Sequence, residues 1–195
     1  MVAAPNQLLL ALIGLILTIA GTFLEASVTS VPTSWSDRQI QTIPLGVTYQ
    51  VGAVLLVGCL GGRKAGALSQ IAYLILGLTS LPVFSQGGGI DYIQQPQFGY
   101  LLGFVPGAWV CGFLAFQLPR KLEYLAFCCL CGLLTIHFFG IAYLIISKIF
   151  HWISPQALPL LQTILQYSFY PLPGQLVIVC AVTVLAYSLR LLLFY

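Results

Sequence analysis

The stretch from Gly61 to Gly107 constrains the fold of this chain more than any other part of it. It reads GGRKAGALSQIAYLILGLTSLPVFSQGGGIDYIQQPQFGYLLGFVPG, which places a basic cluster, an apolar span, a glycine-rich polar loop and a second apolar span in that order. The apolar runs are continuous rather than alternating, which favours membrane-spanning helices over barrel strands. The stretch therefore predicts a helical hairpin that crosses a membrane.

Composition extends this prediction to the whole chain. Of its 195 residues, 59% are hydrophobic and 6% are charged, whereas about 25% are charged in soluble domains. A bilayer core about 30 Å thick accommodates roughly 20 apolar residues as a helix. We predict an all-α integral membrane protein, a single domain over residues 1–195 with six transmembrane helices at about 7–27, 45–61, 66–82, 99–118, 124–148 and 173–193.

The basic residues predict the orientation of these helices. Arg63 and Lys64 join the second and third spans, Arg120 and Lys121 join the fourth and fifth, and Arg190 lies near the C-terminus. Short loops rich in Lys and Arg face the cytoplasm. We therefore expect both termini on the cytoplasmic side of the plasma (inner) membrane. The longer loops would face outward, where they could cover a ligand, at 28–44, 83–98 and 149–172.

Several function classes lack their sequence signatures. The chain has no GxxxxGK[ST] phosphate loop and no HExxH motif, and it contains four acidic residues in all. These residues offer few choices for acid–base or metal-dependent catalysis, and paired basic residues beside a membrane are not a nucleic-acid surface. We expect no enzyme activity, no catalytic residue, no cofactor and no nucleic-acid partner. We also expect the first apolar run to be a retained helix rather than a signal peptide.

The six cysteines are interpreted as packing residues. All of them fall inside predicted spans, where cysteine behaves as a small hydrophobic residue, and the outward loops offer no pair for a disulfide. We therefore expect no metal or redox site from Cys59, Cys111, Cys128, Cys129, Cys131 and Cys180.

Two spans carry small residues on one helix face. In span four they recur every four residues, which indicates close packing of another helix or, alternatively, room for a ligand beside Tyr100. In span one a looser pattern runs through Gly14, Thr18 and Thr22, and that face could dock against a second membrane protein. The span-four stripe consists of Gly99, Gly103, Gly107, Cys111 and Ala115.

Three separated segments resemble the BioY family, the substrate-binding S components of energy-coupling-factor (ECF) biotin transporters. The first, IPLGVTYQVGAVLLVG, is similar to the family pattern V-T-x-Q-x-x-A-V-L-L-x-G and places Gln50 on its glutamine. The second runs GALSQIAYLILGLTSLPVF, then a glycine-rich loop, then GYLLGF. The third, PLPGQLVIV, is similar to P-x-x-P-G-D-L-x-K. The resemblance implies an S-component-like helical bundle.

The resemblance also implies a mechanism. It implies capture of biotin, or a related small molecule, from outside under a lid formed by the outward loops. Release to the cytoplasm would follow when the component topples in the lipid bilayer against a coupling transmembrane protein driven by two ATPases. The docking surface implied for that partner is span one around Gly14 and Thr18.

The chain departs from the family at residues implicated in ligand binding. Gln175 stands where the family has aspartate, and Ile178 stands where it has lysine. Glutamine both donates and accepts hydrogen bonds, so Gln175 can replace the aspartate. Without the lysine, the biotin carboxylate needs water or another cation. The candidates for that cation are His137, Lys148, His151 and Arg38.

We predict seven ligand-binding residues. Gln50, Tyr100 and Gln175 occupy family motif positions, and Tyr143 matches an aromatic position of a Gly-x-x-Trp-Leu pattern. His137 is an ionisable residue in mid-span, which is typical of a residue facing a cavity or another helix. Phe84 and Asp91 belong to the loop between spans three and four, whose three glycines allow rearrangement. The full set is Gln50, Phe84, Asp91, Tyr100, His137, Tyr143 and Gln175.

Two alternatives stand beside biotin capture. The loss of the family's aspartate and lysine favours a membrane scaffold or subunit that keeps the BioY fold but binds no ligand or a different one. A membrane enzyme is the third alternative, and the small number of acidic and histidine residues counts against it.

Overall fold

A computed structural model of the chain describes residues 4–29, 42–79, 81–150, 152 and 159–193. Helices α1 to α6 and a pair of strands make up the described part. In chain order they are α1 (Ala4–Phe23), β1 (Glu25–Thr29), β2 (Thr42–Thr48), α2 (Gln50–Leu78), a 3-10 turn (Ile90–Gln94), α3 (Phe98–Gln117), α4 (Leu122–Ile149), α5 (Leu160–Ile164), a π-helical turn (Leu165–Phe169) and α6 (Leu172–Leu193).

Five helices in the described residues are long and apolar enough to cross a membrane, and they are Asn6–Phe23, Gln50–Leu78, Phe98–Gln117, Leu122–Ile149 and Leu160–Leu192. The count of six is not found, because most of the predicted second span and most of the predicted third span belong to the single helix α2. Spans four and five agree with α3 and α4 to within two residues at each end.

Helix α2 reverses its direction at Gly62. This residue has φ 73° and ψ −176°, a conformation that only glycine adopts readily. Gln50, at the start of α2, hydrogen-bonds the hydroxyl of Tyr73, 23 residues later, at 2.9 Å, whereas a straight helix would separate them by about 35 Å. The helix therefore consists of two arms that lie side by side and meet at the basic residues Arg63 and Lys64.

A β-hairpin replaces the ends of two predicted spans. Strand β1 pairs antiparallel with β2, with Val28 opposite Ile43. The predicted all-α class therefore leaves out this pair of strands. The first helix ends before residue 27, and the second helix begins after residue 45. Hydropathy does not distinguish a short apolar strand from a helix end, but Pro44 and the positive φ of Gly46 both disfavour helix.

The predicted outward loop 149–172 is partly helical. Helix α5 begins at Leu160, and the π-helical turn and α6 follow it in the chain. The prediction of a loop is wrong from this residue onward.

The small-residue stripe of α3 packs against α4. A Cβ atom on Gly99 would lie 2.4 Å from the Cβ of Tyr143, and one on Gly103 would lie 2.8 Å from the carbonyl oxygen of Ile136. Any larger side chain would force the two backbones apart, since interiors pack without spare volume. The prediction that another helix packs closely on this stripe is confirmed.

Gly14 and Thr18 of α1 face the interior of the bundle. A Cβ on Gly14 would lie 2.7 Å from the side chain of Val57, and Thr18 is fully buried and accepts a hydrogen bond from Gln70 at 3.0 Å. The predicted docking surface around these two residues is therefore wrong, because α2 of the same chain already covers it. The exposed face of α1 carries large apolar side chains instead, namely Leu8, Leu9, Leu12 and Ile16.

Candidate ligand-binding site

A partly open cavity of about 360 Å³ lies where the β-hairpin meets the ends of α2, α3 and α6. It brings together Gln50, Tyr100 and Gln175, which come from the three separated motif segments. Its lining consists of Glu25, Gly46, Val47, Thr48, Gln50, Val51, Ser85, Tyr92, Gln97, Tyr100, Leu101, Phe104, Ile136, Tyr167, Pro171 and Gln175.

The cavity lies at the opposite end of the bundle from the basic turn of α2. Gln50 begins the first arm of α2, and Gly62 ends it 12 residues later, which corresponds to about 18 Å of helix. The cavity and the Arg63–Lys64 turn are thus separated by more than half of a bilayer core.

The amide of Gln50 is fixed by Tyr73. Its Nε2 donates to the Tyr73 hydroxyl at 2.9 Å, and that hydroxyl donates in turn to the carbonyl oxygen of Val83 at 3.0 Å. Tyr73 is fully buried in the core. With its amide nitrogen committed to Tyr73, Gln50 has its Oε1 oxygen available as an acceptor for a molecule in the cavity.

The ring of Tyr100 is a rigid wall of the cavity. Its hydroxyl lies 2.7 Å from the hydroxyl of Ser168, and a Cβ on Gly140 would lie 2.4 Å from the ring. The ring also meets His137 edge to face, with centroids 5.9 Å apart. These contacts fix both ends of the side chain, which suits a surface that a ligand packs against.

His137 orients Gln175 from behind the cavity lining. Its Nε2 lies 2.7 Å from Oε1 of Gln175, and a carbonyl oxygen only accepts, so Nε2 carries the proton. The amide nitrogen of Gln175 is left to donate elsewhere. His137 is buried and does not line the cavity, so the structure places this predicted contact one layer behind the surface.

Phe84 and Tyr143 hold the loop after α2 without lining the cavity. The Phe84 ring packs between Tyr73 and Tyr92, with centroid distances of 5.3 and 4.6 Å. The Tyr143 hydroxyl donates to the carbonyl oxygen of Ile93, and its ring packs on Phe98.

Asp91 is exposed on the 3-10 turn and lies outside the lining. The predictions that Phe84, Asp91 and Tyr143 contact a ligand therefore find no support in the geometry of the cavity.

Three polar residues of the same loop line the cavity and were not predicted. Tyr92 donates to Oε1 of Gln97 at 3.0 Å, and the hydroxyl of Ser85 donates to the same oxygen at 3.1 Å. Burial raises the pKa of the Tyr92 hydroxyl above its ordinary value, so it stays protonated to a more alkaline pH than an exposed tyrosine. A polar loop beside a glycine run is the signal that points to this region, but it does not show which side chains turn inward.

Comparison with known proteins places the chain in a family. Residues 3–193 match the model of the BioY family. The chain belongs to the BioY family. A probable biotin transporter BioY of Lysinibacillus sphaericus is 41% identical over 102 residues, which are 51% of this BioY chain and 52% of that protein. An uncharacterized 21.2 kDa protein of Cyanophora paradoxa is 32% identical over 76% of both chains.

The fold is similar to that of a solved structure. The crystal structure of the S-component for biotin from an ECF-type ABC transporter has a TM-score of 0.65 and 21% identity, and the match covers 95% of this chain and 89% of that one. The sequence alignment spans about half the length of the Lysinibacillus relative. Together with the five long apolar helices, the family makes this chain an integral membrane protein.

Among the described residues, no basic side chain of the cavity lining takes the place of the BioY motif lysine. Ile178 is buried, and a Cβ on Gly52 would lie 2.7 Å from its side chain, so it packs on α2. Lys148 is exposed and does not line the cavity, while Arg38 and His151 lie outside the described residues. The lining found in the described part of the chain includes neither Lys nor Arg.

Proposed function

We propose that this BioY chain is the substrate-capture component of a biotin uptake transporter. The observation that carries the proposal is the meeting of Gln50, Tyr100 and Gln175, from three distant segments, in one cavity of about 360 Å³. This volume is within the range of about 300–1,000 Å³ for small-molecule sites. The proposal assigns no chemical reaction to the chain.

The polar groups of the cavity match the ureido ring of biotin. That ring has two N–H donors and one carbonyl acceptor. The Oε1 of Gln50, left over from its bond to Tyr73, accepts one N–H, and the amide nitrogen of Gln175, left over from its bond to His137, donates to the carbonyl. Tyr100 and Phe104 supply apolar walls for the sulfur-containing ring.

The carboxylate of biotin then lies at the open side of the cavity. A buried carboxylate without a cation costs several kcal/mol, and the described lining supplies no Lys or Arg. Water at the mouth and the amide nitrogen of Gln97, whose Oε1 accepts from Ser85 and Tyr92, provide the hydrogen bonds instead. We place the valerate chain toward the loop that carries Ser85, Tyr92 and Gln97.

That loop acts as the lid, and the cavity faces outward. Gly87 and Gly89 have φ of 108° and 105°, which other residues rarely adopt, so they let the loop turn back over the end of α2. The two arms of α2 run in opposite directions, and we place Arg63 and Lys64, where the arms meet, on the cytoplasmic side. Biotin enters from the other side.

Release requires a coupling membrane protein driven by two ATPases. Because Gly14 and Thr18 are covered by α2, we propose that this partner contacts the exposed apolar face of α1, where Leu9, Leu12 and Ile16 lie.

Binding of labelled biotin to the detergent-purified protein tests the proposal, with unlabelled biotin and desthiobiotin as competitors. We expect saturable binding in the nanomolar range, roughly −12 kcal/mol. Gln50→Ala and Gln175→Ala should each weaken it by up to about tenfold, since each removes a hydrogen bond to the ligand. Gln166→Ala, at an exposed residue outside the lining, is the matched control.

A ligand-free membrane subunit is the second candidate, favoured by the packing of Ile178 on Gly52 where the family has lysine. Absence of saturable biotin binding up to micromolar concentration, with helicity and monodispersity intact, would support it and refute biotin capture.

A further inference from the structure

Three cysteines from three helices meet in the core, on the other side of the bundle centre from the ligand cavity. Cys59 lies on the first arm of α2, Cys111 on α3 and Cys129 on α4, and all three are fully buried. The Sγ of Cys59 is 3.5 Å from the Sγ of Cys111 and 3.5 Å from that of Cys129. None of them lines the cavity described above.

The spacing of the sulfur atoms fits one ion bound by all three. The three Sγ atoms lie within 4.8 Å of one another. A metal about 2.3 Å from each sulfur, the usual metal–thiolate bond length, places sulfurs about 4 Å apart in a trigonal plane. Two of the observed separations are 3.5 Å and the third is no more than 4.8 Å, so a small movement of the side chains suffices to coordinate an ion.

The donor set selects the class of ion. Among the described residues, the group contains three thiols and no histidine or carboxylate. Zn²⁺ in structural sites takes four ligands, whereas soft thiolate donors suit Cu(I). A trigonal site of three sulfurs in an apolar core therefore favours a monovalent, thiophilic ion over Zn²⁺.

Arg190 supplies positive charge next to these thiols. It is a buried residue of α6 that donates to the carbonyl oxygen of Ala115 at 2.8 Å, and Ala115 lies one helical turn after Cys111 on α3. Its Nε has no hydrogen-bond partner. Cysteine binds metals as thiolate and releases its proton on binding, so a bound ion with its thiolates is net negative. The guanidinium offsets part of that charge, which gives the buried arginine a function.

Contrary to the expectation from the sequence that the cysteines only fill space, we propose that Cys59, Cys111 and Cys129 form a Cu(I)-binding site in the core of the bundle. The site ties α2, α3 and α4 together, independently of the ligand cavity and of the proposed biotin uptake.

The test is Cu(I) binding to the full-length protein in detergent, under anaerobic reducing conditions and in competition with a chromogenic Cu(I) chelator. We expect one Cu(I) per chain and an ultraviolet thiolate-to-copper charge-transfer band. Cys59→Ser and Cys129→Ser should each weaken binding by at least about a hundredfold, because loss of an outer-shell partner alone costs 10- to 100-fold. The matched control is Cys131→Ser combined with Cys180→Ser, at thiols outside the cluster.

If a cluster variant does not fold, the number of sulfur atoms bound to copper in the wild-type protein tests the proposal instead. X-ray absorption at the copper edge should show three sulfur neighbours at one distance. The proposal is overturned by substoichiometric Cu(I) binding, by unchanged binding in a folded Cys129→Ser variant, or by tighter binding of Zn²⁺ than of Cu(I). Biotin binding by the metal-free protein is measured in parallel, so that failure of this site is distinguishable from failure of biotin capture.

Discussion

The hydrogen bond between His137 and Gln175 sets the polarity of one wall of the cavity. The oxygen and nitrogen ends of a glutamine amide have nearly the same shape. Only a partner that must donate, or must accept, fixes which of the two ends a ligand meets. Because His137 Nε2 donates to Oε1, the wall presents N–H groups. The aspartate implied by the family would present only acceptors, so the replacement changes the chemistry of the wall and not merely its charge.

Replacing His137 by Phe should release this orientation. We expect biotin affinity to fall about tenfold, which corresponds to about 1.4 kcal/mol, the upper end of the net value of a hydrogen bond, while His137→Gln, which can still donate, should retain part of it. Equilibrium binding in detergent measures the effect, and Thr135→Ala on the same helix is the control. Unchanged affinity in His137→Phe would show that Gln175 is oriented by something else.

Ile178→Lys restores the family's residue and should nevertheless harm the protein. Ile178 is buried against Gly52, and an unpaired ammonium there costs several kcal/mol. We expect a lower midpoint of thermal aggregation and no gain in biotin affinity, whereas the near-isosteric Ile178→Met should behave like the wild type. A stable Lys variant that binds biotin more tightly would mean that this side chain does reach the ligand.

At the scale of the elements, the reversal inside α2 determines where the cavity lies. The two arms bring Gln50 beside Tyr73, and Tyr73 in turn holds the segment after α2 through Val83. The reversal depends on Gly62, whose backbone conformation is one that residues with a Cβ avoid. The same turn displays Arg63 and Lys64 at the far end of the bundle.

Gly62→Ala should therefore destabilise the bundle from a residue outside the cavity. A non-glycine residue in this conformation costs on the order of 1–3 kcal/mol, and its Cβ would also approach the Phe116 ring to 3.3 Å. We expect a lower thermal midpoint and proportionately less folded protein, with unchanged biotin affinity in the fraction that folds. Lys64→Ala, an exposed neighbour in the same turn, should show neither effect.

At the scale of the whole molecule, the fold separates a basic end from an end with a cavity. The exposed pairs Arg63–Lys64 and Arg120–Lys121 follow the first arm of α2 and the end of α3, and the cavity lies at the start of α2. The membrane potential and the anionic inner leaflet favour the basic end on the cytoplasmic side.

Labelling of intact cells with a membrane-impermeant maleimide tests this orientation. A cysteine introduced at Gln94, exposed on the 3-10 turn, should react from outside, whereas one at Lys121 should react only after permeabilisation. The wild-type protein gives the background from its six native cysteines. The reverse labelling pattern would invert the orientation and make the cavity face the cytoplasm.

Composition and local motifs predicted the membrane environment, the α3 and α4 spans, the packing of the α3 stripe and three residues of the cavity lining. These features depend on short-range patterns, such as runs of apolar residues, small residues every four positions and motif glutamines. The sequence did not predict the β-hairpin, the inward turn of Tyr92 and Gln97, or the burial of Gly14 and Thr18 under α2.

The tertiary structure alone decided which surfaces are covered and which side chains meet. Phe84 and Tyr143 are aromatic residues of the kind that often line a binding pocket, but in the folded chain they pack behind the residues that line the cavity. Cys59, Cys111 and Cys129 are separated by 52 and 18 residues in the sequence, yet they converge because three helices cross at one point. Hydropathy reports how each segment partitions into lipid, whereas contacts between segments also depend on how each helix is rotated about its own axis, which hydropathy does not specify.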